Sequence, residues 1–250
     1  MMKILTFVAG CFLRIYSAKE WVIPDKYTAF APFYDALSGE YPVYRAGRVR
    51  GINGLAPAAG QQVLDLGCGT GLNFPLLQQR IGPSGTIVGI DRSDRMLDQA
   101  RRRAAKAGWD NIILIQADAV EMDPATIRAV MQSQGGKGLS DAALATYALS
   151  LMPEWRKAWA NTAELLRDDA RVAVVDMQDP VSWARLLTPL ARAACAVAGA
   201  DITAHPWQAV EEDCTDVIRA SARAGHLQIR AGTLPGIGRR RNVQRAGSGN

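Results

Sequence analysis

Three aspartates and three glycines have the types and spacing to do chemistry in this chain. Gly67, Gly69 and Gly71 fall in Gln62-Val-Leu-Asp-Leu-Gly-Cys-Gly-Thr-Gly-Leu-Asn73, just after an apolar run, Val63 to Leu66, that fits a buried strand. Leu72, Leu76 and Leu77 then recur at helical steps. A strand, a glycine turn and a helix make a nucleotide-binding corner, where backbone amides and a helix N-terminus face a ligand. The glycines permit the tight turn and the close approach. Asp91 ends a second apolar run, Ile87-Val-Gly-Ile, twenty residues after Gly71, where an acid can accept both ribose hydroxyls. Asp118 follows a third run, Asn111 to Ala117. Asp65 lies inside the first strand end, and the glycines read G-x-G-x-G, which is not the dinucleotide spacing. A carboxylate there repels a pyrophosphate and suits a ligand that carries an ammonium group.

On these residues the chain resembles the class I S-adenosylmethionine-dependent methyltransferases, whose first motif is close to Val63-Leu-Asp-Leu-Gly-Cys-Gly-Thr-Gly71. The resemblance runs from about Tyr34 to about Gly232 and is strongest from Val63 to Asp118. It implies an α/β fold, a Rossmann-like, doubly wound, mostly parallel sheet, with S-adenosyl-L-methionine as cofactor. It also implies a task for each acid. Asp91 takes the ribose hydroxyls, and Asp65 holds the amino group of the methionine tail, directly or through water. Asp118 accepts from the adenine amine, beside the Ala119 amide on a ring nitrogen. The backbone of Gly67, Cys68, Gly69 and Gly71 lies along the tail, assisted by Asn73. Arg92 or Met96 packs on the adenine, and Thr146 joins the cofactor set. Tyr34, in Phe33-Tyr34-Asp35, is similar to a "YD" of the family and contacts cofactor or substrate. The blander readings are a helix N-cap for Asp118 and a merely small residue for Cys68.

Methyl transfer is an in-line displacement whose main demand is positioning. An acceptor hydroxyl or ammonium must still lose a proton, and Tyr147, His205, His226 and the leader tyrosines are the base candidates. Tyr147 ends the fourth strand, where the resembled family points the methyl; His205, before Pro206, falls where that family builds a substrate cap. The D/N-P-P-Y/F motif of DNA amino-methylating enzymes is absent, so DNA is not expected as partner. The layout is most similar to the ubiquinone/menaquinone and phospholipid N-methyltransferase group. The expected acceptor is a small, apolar or amphiphilic, lipid-like molecule methylated on O or N. The alternatives are a protein or RNA methyltransferase of the same fold, an NAD-dependent oxidoreductase, and a non-catalytic adenosylmethionine-binding scaffold.

These residues need elements to carry them. Residues 1–60 read as a helical leader over the site, with an aromatic face (Tyr27, Phe30, Phe33, Tyr34, Leu37, Tyr41) and a helix from Arg45 to Leu55. Residues 61–232 read as the core. Ser93 N-caps a helix bearing Met96, Leu97, Ala100 and Ala104, and Arg101-Arg102-Arg103 on it reads as a solvated face. A helix spans Ala125 to Gln132, and Gly135 to Gly138 is a flexible connector. The fourth strand runs from Ala142 to Tyr147, and a helix then aligns Trp155, Trp159 and Leu166. Arg171 to Met177 is the fifth strand, and the crossover rule makes the sheet parallel. A cap spans about 181–222, with helices from Val181 to Ala198 and from Trp207 to Ala222. His226 to Gly232 alternates as a strand, expected at the sheet edge.

Composition bounds the rest. The chain has 250 residues, 48% hydrophobic and 21% charged, enough for one α/β domain. Four cysteines and two histidines lack metal-ligand or disulfide spacing, so no metal and a reducing, cytoplasmic setting are expected. No run of eighteen apolar residues spans a membrane. Residues 1–16 look superficially like a signal peptide but read better as a helix that packs on the domain or lies on a membrane surface. Net charge is +5, yet seven arginines and no acid fall after Asp216, leaving 22 bases against 24 acids before them. The tail, 233–250, reads as a solvated, flexible segment or as a contact to anionic lipid or nucleic acid.

Overall fold

The computed structural model describes residues 44–236. The expectations for the leader before Tyr44, Tyr34 included, and for the arginines at 239–245 lie outside the described residues. Helix α1 spans Arg45–Leu55. Strand β1 (Gln62–Leu66) leads through the glycine turn to α2 (Phe74–Ile81), then β2 (Thr86–Asp91), α3 (Asp94–Ala107) and β3 (Ile112–Gln116). Then follow α4 (Pro124–Ser133), β4 (Ser140–Thr146), a 3-10 turn (Leu149–Leu151), α5 (Trp155–Ala163) and β5 (Leu166–Met177). A second 3-10 segment (Ser182–Leu187) enters α6 (Thr188–Ala198), followed by α7 (Gln208–Asp213), β6 (Thr215–Ala222) and β7 (Leu227–Leu234).

The seven strands form one sheet in the order β3-β2-β1-β4-β5-β7-β6. Strands β1 to β5 pair in parallel, and β7 pairs antiparallel with both β5 and β6. Every residue of β1 is buried, as expected of a parallel strand covered on both faces. One apolar layer gathers Leu64, Leu66, Val88, Ile90, Trp159 and Val172, and the other gathers Val63, Ile87, Phe74, Leu77, Leu97 and Leu144. Ser93 caps α3, accepting from the Met96 amide, and Asp123 caps α4.

Four local expectations need correction. The stretch from Trp207 to Ala222 is not one helix: α7 stops at Asp213, and Thr215–Ala222 is a strand. Its sheltered positions, Val217, Ala220 and Ala222, follow no single period because the register shifts between Thr215 and Ile218 and breaks strict alternation. The strand after His226 is not at the edge but between β5 and β6, and its burial matches: Leu227, Ile229, Ala231 and Leu234 are all at most 1% exposed. Leu166 opens β5 and is not on the preceding helix. The glycine connector is clamped, since the Lys137 amide donates to Gln62 Oε1 at 2.7 Å and Gln62 Nε2 donates to the Lys137 carbonyl at 3.0 Å.

Candidate functional site

In an open parallel sheet, ligands bind beyond the strand C-termini where strand order reverses. Here that reversal falls between β1 and β4. Asp65 sits at the end of β1, Asp91 is the last residue of β2, and Asp118 lies two residues past β3. A cleft of about 1000 Å3, its open mouth included, lies at this edge. Of the residues singled out from sequence, Gly67, Cys68, Gly69, Asp91, Arg92, Met96, Asp118, Ala119, Thr146 and Tyr147 line it. Asp65, Gly71, Asn73 and His205 do not line it.

The glycine turn is built by conformation and by space. Gly67, Gly69 and Gly71 have φ of +63°, +55° and +77°, where side chains are strained. A Cβ on Gly67 would lie 2.4 Å from Ala148 Cβ and one on Gly71 2.6 Å from Phe74, whereas one on Gly69 would meet nothing within 4 Å. Gly69 thus opens onto the cleft. The turn's amides are largely engaged within the protein. Cys68 N–H donates to the Ile90 carbonyl at 3.0 Å and Gly71 N–H to the Cys68 carbonyl at 3.0 Å. Gly69 N–H donates to Asp91 Oδ2 at 2.8 Å, and Ser93 N–H to Asp91 Oδ1 at 2.9 Å. A carboxylate therefore occupies the place where a pyrophosphate would need bare amides. Asp118 Oδ1 accepts from Val120 N–H at 2.8 Å, and Asp118 itself is exposed at the cleft wall. Its cap is a turn, since the Glu121 and Met122 amides donate to its carbonyl.

A polar network runs from Arg48 and Thr146 in the cleft wall to buried Asn73 and Asp65 behind it. Asp65 is 0% exposed, and its Oδ1 accepts from Asn73 Nδ2 at 2.8 Å. Its Oδ2 is buried without a hydrogen-bond partner among the described residues. Burial pushes the Asp65 carboxyl up to about 7, against the pull of the Asn73 bond and the Arg48 charge. Asn73 Nδ2 also donates to Thr146 Oγ1 at 3.1 Å. Arg48 completes the group, donating to Thr146 Oγ1 at 2.6 Å and to Asn73 Oδ1 at 3.2 Å. Burial also raises the Cys68 thiol well above its ordinary range, so it is an inert small residue here.

The residues after β4 form the facing wall: Tyr147, Ala148, Leu151, Met152 and Pro153. Tyr147 has φ of +57°, and its hydroxyl donates to the Tyr44 carbonyl at 2.7 Å. The two rings meet edge to face with centroids 4.8 Å apart, and the Arg48 guanidinium lies 5.2 Å from the Tyr147 ring centre. Buried Asp176 fixes this wall, accepting from Ser150 Oγ at 2.7 Å, Ser150 N–H at 3.1 Å and Met177 N–H at 2.9 Å. Asp201 N–H donates to the Ser150 carbonyl at 2.8 Å, tying the stretch after α6 to the same residue.

The two described histidines stand apart from the cleft. His205 stacks on Trp207, with centroids 5.3 Å apart, and His226 Nδ1 lies 2.6 Å from the Gln178 carbonyl. The sequence reading missed Arg48. It stands in a helix recognised from sequence, but its contact to Thr146 spans 98 residues and no local spacing announces it.

The model of the methyltransferase domain family matches residues 57–216. Nocamycin O-methyltransferase of Saccharothrix syringae is 31% identical over 159 residues, 62% of this chain and 51% of that protein. A 2-phytyl-1,4-naphtoquinone methyltransferase of Synechococcus elongatus is 29% identical over 155 residues, 61% of this chain and 62% of that protein. The matches thus span roughly half to three fifths of these relatives. Among solved structures, a SAM-dependent methyltransferase from Aquifex aeolicus superposes with a TM-score of 0.55 at 12% identity, over 83% of this chain and 98% of that one. That likeness is one of fold.

Proposed function

Since the chain belongs to the methyltransferase domain family, we propose that it transfers the methyl group of S-adenosylmethionine to a small acceptor. The observation that carries this reading is the glycine turn closed by a carboxylate, Asp91 on the Gly69 amide, at a cleft also bordered by Asp118. Such a site disfavours a pyrophosphate and suits a neutral or cationic nucleoside. The Asp65 carboxyl behind the wall, coupled to Thr146 through Asn73, and the open space above Gly69 suit a ligand with an ammonium-bearing tail.

In this reading Asp91 holds the ribose hydroxyls and Asp118 the adenine amine, with Met96 and Arg92 beside the ring. The network of Asp65, Asn73, Thr146 and Arg48 orients the amino-acid tail, Asp65 acting through Asn73 from behind the wall. The bound cofactor supplies a methyl group on a positively charged sulfur, an electrophile that needs no further activation. The protein's own contribution is alignment and exclusion of water. The acceptor faces Leu72, Leu151, Met152 and Pro153, which favour an apolar or amphiphilic molecule such as a hydroxylated aromatic or a quinol, methylated on oxygen or nitrogen. Support comes from the apolar residues after β4 and from the small-molecule methyltransferases among the relatives. Tyr147 lines the cleft at the acceptor end with its hydroxyl engaged by the Tyr44 carbonyl, so its ring borders the acceptor in preference to His205.

Calorimetric titration with S-adenosylmethionine and with NAD tests the reading. The expected result is binding of the first and none of the second. Asp91→Ala should weaken binding by about 1–3 kcal/mol, the range for a charge-assisted bond. Binding of NAD alone would overturn the assignment. Methyl-labelled cofactor offered with apolar hydroxylated acceptors, RNA and protein then decides the acceptor class; label found only in a macromolecule would displace the small-molecule reading.

A further inference from the structure

Arg101, Arg102 and Arg103 look alike in sequence as a charged helix face, but the fold separates them. Arg101 is exposed and pairs with Asp94 and Asp98 on its own helix, and Arg102 is exposed. Arg103 is half-buried, and its Nε donates to the Thr70 carbonyl at 2.8 Å. Thr70 is 2% exposed and borders the cleft, with Gly69 and Gly71 on either side at φ of +55° and +77°. The Thr70–Gly71 peptide turns over through ψ of Thr70 and φ of Gly71, and with glycine on that side the turn costs little. In a planar trans peptide the Thr70 carbonyl and the Gly71 N–H point opposite ways. Fixing the Thr70 oxygen therefore fixes the Gly71 N–H, which donates to the Cys68 carbonyl and closes the turn. The turn is thus held from two sides. Asp91, three residues before α3, grips the Gly69 amide at the cleft, and Arg103, on α3 itself, grips the Thr70 carbonyl.

We propose that Arg103 is a positioning residue of the cofactor site, holding the glycine turn in its ligand-binding shape without lining the cleft. This rests on the cofactor reading above. The guanidinium suits the role because its Nε–H is directed by a rigid plane, which an ammonium lacks.

The test titrates S-adenosylhomocysteine into the full chain, comparing wild type with Arg103→Ala, Arg103→Lys and Arg102→Ala. Amide exchange at Gly71 is followed in the same proteins without ligand. Arg103→Ala should weaken affinity about tenfold and speed Gly71 exchange, while Arg102→Ala stays within twofold on both. A merely structural role would lower the unfolding temperature and leave the affinity of the folded protein unchanged. If Arg103→Ala does not unfold cooperatively, Arg103→Lys is judged by the same two readouts. Affinity within twofold of wild type, or Gly71 exchange unchanged, overturns the proposal. A wild-type chain that binds no S-adenosylhomocysteine overturns the cofactor reading instead, and the two failures differ because Gly71 exchange would still respond to Arg103→Ala.

Discussion

At the scale of single residues, Asp65 illustrates a group kept at a cost to stability. It is fully buried, one oxygen has no partner among the described residues, and burial raises its carboxyl from 3.8 to about 7. Asp176 is raised to about 6 for the same reason, though its oxygens are well bonded. Both acids therefore bind their protons more tightly in the folded chain than in the unfolded one. Their contribution to stability is full below pH 3.8 and is lost as the pH rises through about 6 and about 7. Asp65→Asn stays neutral, so it escapes the Asp65 part of this loss. Without ligand, the variant's advantage over wild type should widen by about 2–3 kcal/mol, or about 5–10 °C in Tm, between pH 5 and pH 8. The same change should weaken S-adenosylmethionine binding about tenfold, because a neutral amide loses its charge attraction for the ammonium. Thermal unfolding across pH checks the first part; an equal gap at pH 5 and pH 8 would remove burial as the cause.

At the scale of elements, α1 shows why part of the site could not be read from sequence. Its limits, Arg45 to Leu55, were legible. That it lies against β4, β5 and β7 and delivers Arg48 to Thr146 was not, because it depends on contacts between elements far apart in the chain. Asp91 and Asp118 were legible for the opposite reason: each follows its own apolar strand, and a parallel sheet brings strand C-termini to one edge. Gly47 and Gly51, one helical turn apart, let α1 approach. A Cβ on Gly47 would stand 2.0 Å from Tyr147 Oη, and one on Gly51 2.4 Å from Val175 Cγ2. Gly51→Ala sets two effects against each other. Alanine favours the helix by about 1 kcal/mol, whereas forcing a methyl into a packed interface costs about 1–3 kcal/mol. The contact is shorter than real Cβ contacts allow, so packing wins and the variant should lose up to about 2 kcal/mol in urea unfolding. A gain in stability would mean α1 sits farther from β5 than the structure places it.

At the scale of the whole molecule, the sheet order separates two strands that the sequence does not distinguish well. The stretch after His226 alternates as an edge strand would, and the one before it has no clear period. Yet β7 is enclosed on both sides by β5 and β6, and β6 carries the edge. The edge is managed by charge and irregularity: the register shifts between Thr215 and Ile218, and Arg219 projects to Glu211 at 2.8 Å. Inside, Arg230 reaches the same Glu211 and lies over the Trp207 ring at 4.6 Å, so β6, β7 and α7 are joined around one carboxylate. Pairing β7 beside β5 requires the chain to pass out to β6 and return antiparallel, an ordering visible only once all seven strands are placed. The two positions should therefore respond very differently to the same truncation. Ile229 is 1% exposed in β7 and Ile218 is 48% exposed in β6. Ile229→Ala should cost about 2–5 kcal/mol through lost burial and the cavity left behind, whereas Ile218→Ala should stay within about 0.5 kcal/mol. Chemical denaturation of the two variants decides between the orders, because an edge position for β7 would make the two losses comparable or reverse them.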